Sequence, residues 1–347
     1  MTDMQLDVMA VGNAIVDVIA RTDEAFLAAH GMAKGAMALI DETTAHTLYE
    51  AMGSGTQTSG GSAANTVAGL TALGVRAGYI GKVRDDSLGR VFRHDLAATG
   101  VRFDTPAVPD GPATARCLVL VTEDGQRTMN TFLGACVELT PDDIDPAQIE
   151  TAAITYLEGY LFDLPLAKAA FRKAASIARA ARRKVALSLS DSFCVHRHRD
   201  EFRNFIAEHI DILFANAEEI AALYDTIDVT AAARLAAADC AVVAVTLGAD
   251  GSLLIDADGL VRVPAVPVPT VVDTTGAGDL YAAGVLCGLT HGLSLEASGR
   301  LGSALAGEVI GHLGARPQAD ITRLLPSGLR FALAGRAFGR KDRAGAA

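Results

Sequence analysis

Tryptophan is absent from this sequence, and aromatic residues make up only 5% of it. A chain of 347 residues that is still 50% hydrophobic must fill its core with Ala, Val, Leu and Ile. The surplus of Ala favours helices. Positive charge is also scarce, with 30 Lys and Arg against 41 Asp and Glu and a formal net charge of −11. Such a chain repels nucleic-acid phosphates and has no basic stripe to offset this, which argues against a nucleic-acid partner. It likewise lacks a broad basic surface for an anionic membrane. If a substrate carries phosphate, local backbone groups must hold it.

Paired cysteine motifs are missing too. Cys117, Cys136, Cys194, Cys240 and Cys287 are odd in number and form no C-x-x-C. They read as small core hydrophobes in a reducing compartment, with no metal among them. No run of about 18 apolar residues is free of charges and breakers. Asp3 and Asp7 stand where a signal peptide would be basic, so the expectation is a soluble, cytoplasmic protein. There is no G-x-x-x-x-G-K-[ST], no G-x-G-x-x-G after the first strand and no H-E-x-x-H, which sets aside P-loop enzymes, dinucleotide dehydrogenases and zincins. No repeat with a period of about 20–50 residues is visible.

What is present is an alternation of short apolar runs and helical segments. Leu6–Val11, Ala77–Ile80, Ala153–Leu157, Val185–Leu189, Ile210–Phe214 and Ala241–Thr246 read as strands, the last followed by Ser252–Ile255. Helices are expected at Ala63–Leu73, Ser87–Thr99, Leu166–Ala181, Arg199–Glu208, Ala217–Tyr224, Thr230–Ala237, Gly276–Thr290 and Leu295–His312. Gly53–Ser62 reads as a loop. The pattern implies an α/β fold, a mainly parallel central sheet flanked by helices on both faces. One region interrupts it. Arg116–Val121 and Arg127–Leu133 flank the turn Glu123–Gln126 and read as a β-hairpin. With Met37–Ile40 it is expected to form a small β lid, from about 13–43 and 103–135, inserted in one domain spanning 1–335. The polar tail 336–347 is expected to fray.

The strongest chemical signal is Asp273-Thr274-Thr275-Gly276-Ala277-Gly278-Asp279, which opens a helix. Gly276 and Gly278 let the backbone approach a ligand closely. The helix N-terminus offers free N–H groups and partial positive charge, an anion hole suited to a phosphate in transfer. Asp279 lies beside that hole, where a carboxylate can take the proton of an incoming hydroxyl. The plain alternative is a helix start with Gly for the turn and Asp for the dipole. Asn216 and Glu219 open another helix at i, i+3. They suit either a shell of water around Mg²⁺ or a capping box. Thr246-Leu247-Gly248 ends a strand before the tight turn at Gly251, as a nucleotide-binding strand end or as an ordinary turn. His196 and His198 read as surface residues of a helix.

These pieces, in this order, resemble the ribokinase-like (PfkB) kinases over roughly residues 4–320. Asn13 to Asp17 looks like the family's first substrate segment. Gly60-Gly61-Ser62-Ala63-Ala64-Asn65 looks like its N-terminal signature, and Tyr79–Gly89 its following strand and turn. Asn216-Ala217-Glu218-Glu219 matches N-x-x-E, Thr246–Gly251 matches T-L-G-x-x-G, and Asp273–Asp279 matches the C-terminal signature. The resemblance implies ATP and Mg²⁺ as cofactors, Asp279 as the base, and Gly276, Ala277 and Gly278 around the phosphate. It places Asn13, Asp17, Gly60, Gly61 and Asn65 on the sugar, with the glycines as lid hinge. It places Asn216, Thr246, Gly248 and Gly251 at ATP, Asn216 and Glu219 at Mg²⁺ through water, and a monovalent cation, K⁺, near Asp273.

For the acceptor, Leu189-Ser190-Asp191-Ser192-Phe193 and Glu158-Gly159-Tyr160-Leu161-Phe162 are most similar to the adenosine kinase branch. That similarity implies a purine slot formed by Phe193 and Leu161, with Phe162 beside it. Met129, Thr131 and Leu133 of the hairpin would close it. The expected reaction is transfer of the γ-phosphate to the 5′-hydroxyl of a nucleoside, adenosine first. A kinase for ribose, fructose or a related sugar, and a non-catalytic binding protein on the same fold, are the alternatives. The partner is a small-molecule nucleoside or sugar, and a monomer or homodimer suits either.

Overall fold

The structure, a computed structural model, describes residues 6–328 and Arg330. The expectation for the tail at 336–347 lies outside the described residues. Thirteen strands are formed among those described: β1 (Leu6–Val11), β2 (Ile15–Arg21), β3 (Met37–Leu39), β4 (Thr56–Gly60), β5 (Ala77–Ile80), β6 (Ala115–Val121), β7 (Arg127–Phe132), β8 (Ala152–Glu158), β9 (Lys184–Ser188), β10 (Ile212–Asn216), β11 (Val242–Thr246), β12 (Ser252–Asp256) and β13 (Gly259–Val263).

Eight of them form the main sheet, in the order β13-β12-β11-β10-β9-β8-β1-β5. The six from β5 to β11 are parallel, and β12 and β13 add an antiparallel edge. Both faces of these strands are apolar because both are covered. Ile212, Phe214, Val242 and Ala244 join one core, with the helices Ser62–Ala72, Ser87–Ala98, Ala277–Thr290 and Leu295–Val309. Their neighbours Leu213, Ala215, Val243 and Val245 join the other, with Pro165–Ala180, Ser192–His209, Ala217–Tyr224 and Val229–Ala236. Fully burying a side chain such as Phe171 or Phe202 contributes about 1.5–3 kcal/mol each. The helix Ala277–Thr290 lies tight against Leu295–Val309. A Cβ at Gly284 would sit 2.5 Å from the Gly302 nitrogen, so only glycine permits that approach.

The lid is a second sheet of five strands, β3-β7-β6-β2-β4. Strand alternation gives it two different faces. Val16, Val18 and Leu118 turn into the main core. Ile15, Cys117 and Met129 pack together on the opposite face, which looks onto the ligand cleft. The segment expected as a loop at 53–62 contains β4, an edge strand paired antiparallel with β2. Thr56 and Thr58 favour a strand, but no apolar alternation marks the Thr-Gln-Thr-Ser-Gly segment, so the partner strand decides. Asp95 completes the arrangement by accepting from Ser59 N–H (2.6 Å) and Thr58 Oγ1 (3.1 Å). The helix expected from Arg199 starts at Ser192 instead. Asp191 caps it through Cys194 N–H (3.0 Å), and it kinks at His198.

Candidate active site

In an open parallel sheet, ligands bind beyond the C-terminal strand ends, where the order of connections reverses. Here that point lies around β1, whose neighbours are β5 and β8. A cavity of about 630 Å³ opens there. The strand ends supply Asn13 after β1, Glu158 of β8, Ser188 and Ser190 at β9, Asn216 of β10 and Thr246 of β11. The lid supplies Ile15, Asp17, Met37, Leu39, Cys117, Met129 and Thr131. Gly61, Ser62, Asn65, Gly276, Gly278 and Asp279 close the remaining side.

Two helix N-termini meet at this place. Gly276 caps the helix Ala277–Thr290 at φ +80, and a Cβ there would lie 2.6 Å from that of Ala315. The first N–H, of Ala277, bonds the Thr274 carbonyl (3.2 Å), and the helical ladder starts with Leu280 to Gly276 (2.8 Å). The N–H groups of Gly278 and Asp279 have no partner among the described residues, as an anion site requires. Around Gly278 a Cβ would meet nothing within 4 Å, so the absent side chain leaves room on the ligand side.

Asp279 projects from this turn toward the other helix, Ser62–Ala72. Ser62 Oγ donates to its Oδ1 (2.6 Å) and Asn65 Nδ2 to its Oδ2 (2.9 Å). Burial raises the Asp279 carboxyl above its ordinary value, against the lowering pull of Ser62, Asn65 and Arg316. Asn65 Oδ1 is buried with no partner and belongs to the cavity wall, so it is an acceptor waiting for a donor. Asp17 is raised to about 6, first by burial and then by Asp279 and Asp273, against Arg127 and Arg316.

Glu158 was not singled out from the sequence, although a carboxylate at the end of an apolar strand is the signal that marks it. It is 1% exposed. It accepts from Asn13 N–H (3.3 Å), Asn13 Nδ2 (2.9 Å) and Ala63 N–H (2.8 Å). It thereby ties together the two crossings between lid and main sheet. Burial lifts it to about 7. Arg316, also overlooked, reaches Ala64 O (2.7 Å) and Ser59 O (2.8 Å) from a distant loop. Nothing in its local sequence separates it from an ordinary loop arginine. Ser190 sits in the left-handed region (φ +66), a strain that non-glycine residues seldom accept and that clusters at binding sites.

Asn216 and Glu219 form the capping box in full. Glu219 N–H donates to Asn216 Oδ1 (2.8 Å), and the Glu219 carboxylate accepts from Asn216 N–H (2.9 Å) and Nδ2 (2.7 Å). Both also line the cavity. Glu219 is lifted to about 7, by burial first and then by Asp191, Glu218 and Asp279. The six carboxylates that line the cleft, Asp17, Glu158, Asp163, Asp191, Glu219 and Asp279, invite a cation, and each Glu219 oxygen keeps a lone pair for water. The residues therefore fit Mg²⁺ held through its water shell. Among the described residues, no cluster of three or more His, Cys, Asp or Glu is arranged to bind a metal directly.

Several expected residues stand elsewhere. Asp273 is not a vacant cation ligand. Its Oδ2 takes Arg127 Nη1 and Gly314 N–H (2.8 Å), and its Oδ1 takes Thr275 N–H (3.0 Å). The guanidinium comes from lid strand β7, and Arg127 also donates to Thr275 Oγ1. Phe193 is 71% exposed and outside the cavity lining, because it falls on the solvent side of its helix. Leu161 and Phe162 are 1% exposed and turn into the core, where Phe162 stacks on Phe202 at 3.9 Å. Neither of them nor Phe193 lines the expected purine slot. The neighbouring Tyr160 does face the cavity. Gly248 and Gly251 shape the turn behind Thr246 without lining it. Gly251 is required at φ +89, since a Cβ would strike Val263 O at 2.1 Å.

Comparison with known proteins agrees with this geometry. Residues 5–322 match the pfkB family carbohydrate kinase model. The chain is 51% identical to the adenosine kinase of Sinorhizobium meliloti, with a TM-score of 0.86 over 92% of this chain and 98% of that one. It is 46% identical to a probable sugar kinase from Rhizobium etli CFN 42, with the same TM-score and the same coverage. An ATP-dependent ribose-1-phosphate kinase from Halopiger xanaduensis is 33% identical over 76% of this chain and 85% of its own length. Among the described residues no helix is long and apolar enough to cross a membrane. The chain belongs to the pfkB family of carbohydrate kinases, phosphotransferases that act on alcohol groups.

Proposed function

We propose that this kinase transfers the γ-phosphate of ATP to the primary 5′-hydroxyl of a nucleoside, adenosine before others. The observation that carries this reading is the mixed lining of the cavity. It joins the free N–H groups of the 276–279 turn, with Asp279, Ser62 and Asn65, to the apolar side chains of Ile15, Met37, Leu39 and Met129 from the lid and of Tyr160, Val137 and Leu164. A base needs such apolar walls, whereas a free sugar leaves them wet. Met37 and Leu39 are 51% and 63% exposed, apolar surface that a base would cover.

Asp279 takes the hydroxyl proton as the oxygen–phosphorus bond forms and the bond from phosphorus to ADP breaks. Gly278 and Asp279 N–H groups face the charge on the phosphoryl oxygens, and Arg127 stands beside them on Thr275. Asp17, Asn13 and Asn65 orient the sugar hydroxyls. Thr246 flanks ATP. Asn216 and Glu219 would orient the water shell of Mg²⁺, and the metal would neutralise phosphate charge.

A panel of adenosine, inosine, guanosine, cytidine, ribose and fructose with Mg·ATP tests the reading. Adenosine is expected to give by far the highest kcat/KM. A higher value for ribose or fructose would replace the nucleoside with a sugar and leave the kinase assignment intact.

A further inference from the structure

The cavity wall also carries a charge pair that phosphoryl transfer does not use. Asp163 and Arg197 line it next to Tyr160 and Leu164. Arg197 holds Asp163 at two points, Nε to Oδ1 (3.1 Å) and Nη2 to Oδ2 (2.6 Å). His198 Nε2 lies 2.9 Å from the same Oδ1, and the Cys194 thiol 3.7 Å from it. Adjacent residues on a regular helix point about 100° apart. The kink at His198 (φ −124, ψ 26) accompanies the turn of both Arg197 and His198 onto one carboxylate. Three partners crowd Oδ1, so Oδ2 retains an open lone pair. Arg197 Nη2 spends one N–H on Oδ2, and its second N–H, which points outward beside Oδ2, has no partner among the described residues. The side chains are 53% and 39% exposed. An ion pair that open contributes at most about 1 kcal/mol to stability, so holding the fold does not account for so fixed an arrangement.

We propose that Asp163 and Arg197 select the base of the acceptor, with Oδ2 accepting from an exocyclic amino group and the outer N–H of Nη2 donating to the adjacent ring nitrogen. This rests on the nucleoside reading above. The pair presents an acceptor beside a donor in one fixed plane. A 6-aminopurine edge, an amino N–H next to a bare ring nitrogen, complements it. A 6-oxopurine edge has a carbonyl oxygen where the carboxylate stands and an N–H where the guanidinium points, so both contacts turn repulsive. Charged partners strengthen each correct hydrogen bond. A site built on such bonds rejects the inverted pattern by leaving groups unpaired.

The test is kcat/KM for adenosine and inosine in the wild type, Asp163→Asn and Arg197→Met, with Tm measured alongside. The wild type should prefer adenosine. Asp163→Asn offers an amide N–H to the 6-oxygen, and the adenosine-to-inosine ratio should fall about tenfold, a ΔΔG‡ of about 1.4 kcal/mol. The shift should lie in KM more than in kcat. Arg197→Met should lower the ratio as well, and it carries the test if Asp163→Asn fails to fold. An unchanged ratio in a folded variant that still phosphorylates adenosine overturns the selector and leaves the nucleoside reading standing. A wild type that accepts ribose or fructose and no nucleoside overturns both.

Discussion

Asn65 Nδ2 donates to Asp279 Oδ2 at 2.9 Å across 214 residues of sequence, which joins the first turns of two helices whose N-termini meet at the cleft. The amide holds the carboxylate with one end and leaves its own Oδ1 buried in the cavity wall, without a partner among the described residues. A residue placed so fixes the orientation of the Asp279 carboxylate at the cavity.

Removing the base separates chemistry from binding. Asp279→Asn is predicted to fold normally and to lose about 10²–10⁴ in kcat, with substrate KM little changed. In the wild type the working form is the deprotonated carboxylate. Because burial raises this carboxyl, kcat should decline on the acid side along a limb that lies above 3.8, the ordinary aspartate value. Near-wild-type turnover by the variant would remove Asp279 from the mechanism.

In the proposed mechanism Glu219 has two tasks, and one substitution separates them. Glu219→Gln breaks the reciprocal cap and should lower stability by about 1 kcal/mol. It should also raise the Mg²⁺ concentration needed for half-maximal rate several-fold, since a neutral amide holds the metal's water shell less well. A Mg²⁺ titration beside a thermal melt checks both. Lost stability with an unchanged titration would reduce the pair to a capping box.

The cleft also makes stability depend on pH. Folded-state values are raised for Asp17 (3.8 to about 6), Glu158 (4.5 to about 7) and Glu219 (4.5 to about 7). In that window the folded chain binds more protons than the unfolded one. Their contribution is therefore complete below the ordinary values and is lost as pH rises through about 6 and 7. Without Mg²⁺, Tm should be lower near pH 8 than near pH 5.5, and the difference should shrink in Glu158→Gln. Asp7, Asp95 and Asp273, whose values are lowered, act in the opposite sense at more acid pH. A Tm that climbs between the two pH values would contradict this account.

The glycine pair at the lid crossing should divide into two kinds. Gly61 lies at φ +91, and a Cβ there would stand 2.2 Å from Asn13 O. Gly61→Ala is expected to cost at least about 1–3 kcal/mol from backbone strain alone. At Gly60 the obstacle is the Asp17 carboxylate, 2.3 Å from a Cβ, and a side chain can swing aside. Gly60→Ala should therefore keep most of its stability and raise acceptor KM. Equal behaviour of the two variants in melts and kinetics would contradict the distinction.

In the proposed function, the lid supplies the apolar cover over the nucleoside base. Leu39→Ser should raise nucleoside KM about tenfold, in line with one lost apolar contact worth 1–3 kcal/mol. Phe193→Ala should stay within about twofold of wild type, since Phe193 is 71% exposed. The reverse ranking in steady-state kinetics would restore the aromatic slot that the sequence suggested.

Sequence by itself determined the alternation of strands and helices, the helix-opening turn at Gly276–Asp279 and the capping pair Asn216 and Glu219. Each of these depends on residues within a few positions of one another, so local preference and spacing carry the information. Only the tertiary structure decided that β4 is a strand, because no apolar alternation marks it and pairing with β2 decides. The same holds for Glu158, Arg127 and Arg316, whose partners lie 95 to 257 residues away. The slot was misread in the segment Tyr160-Leu161-Phe162. Which of three adjacent side chains faces a cavity depends on the angle at which the chain leaves β8, and that angle is set by packing against Phe202 and Phe205.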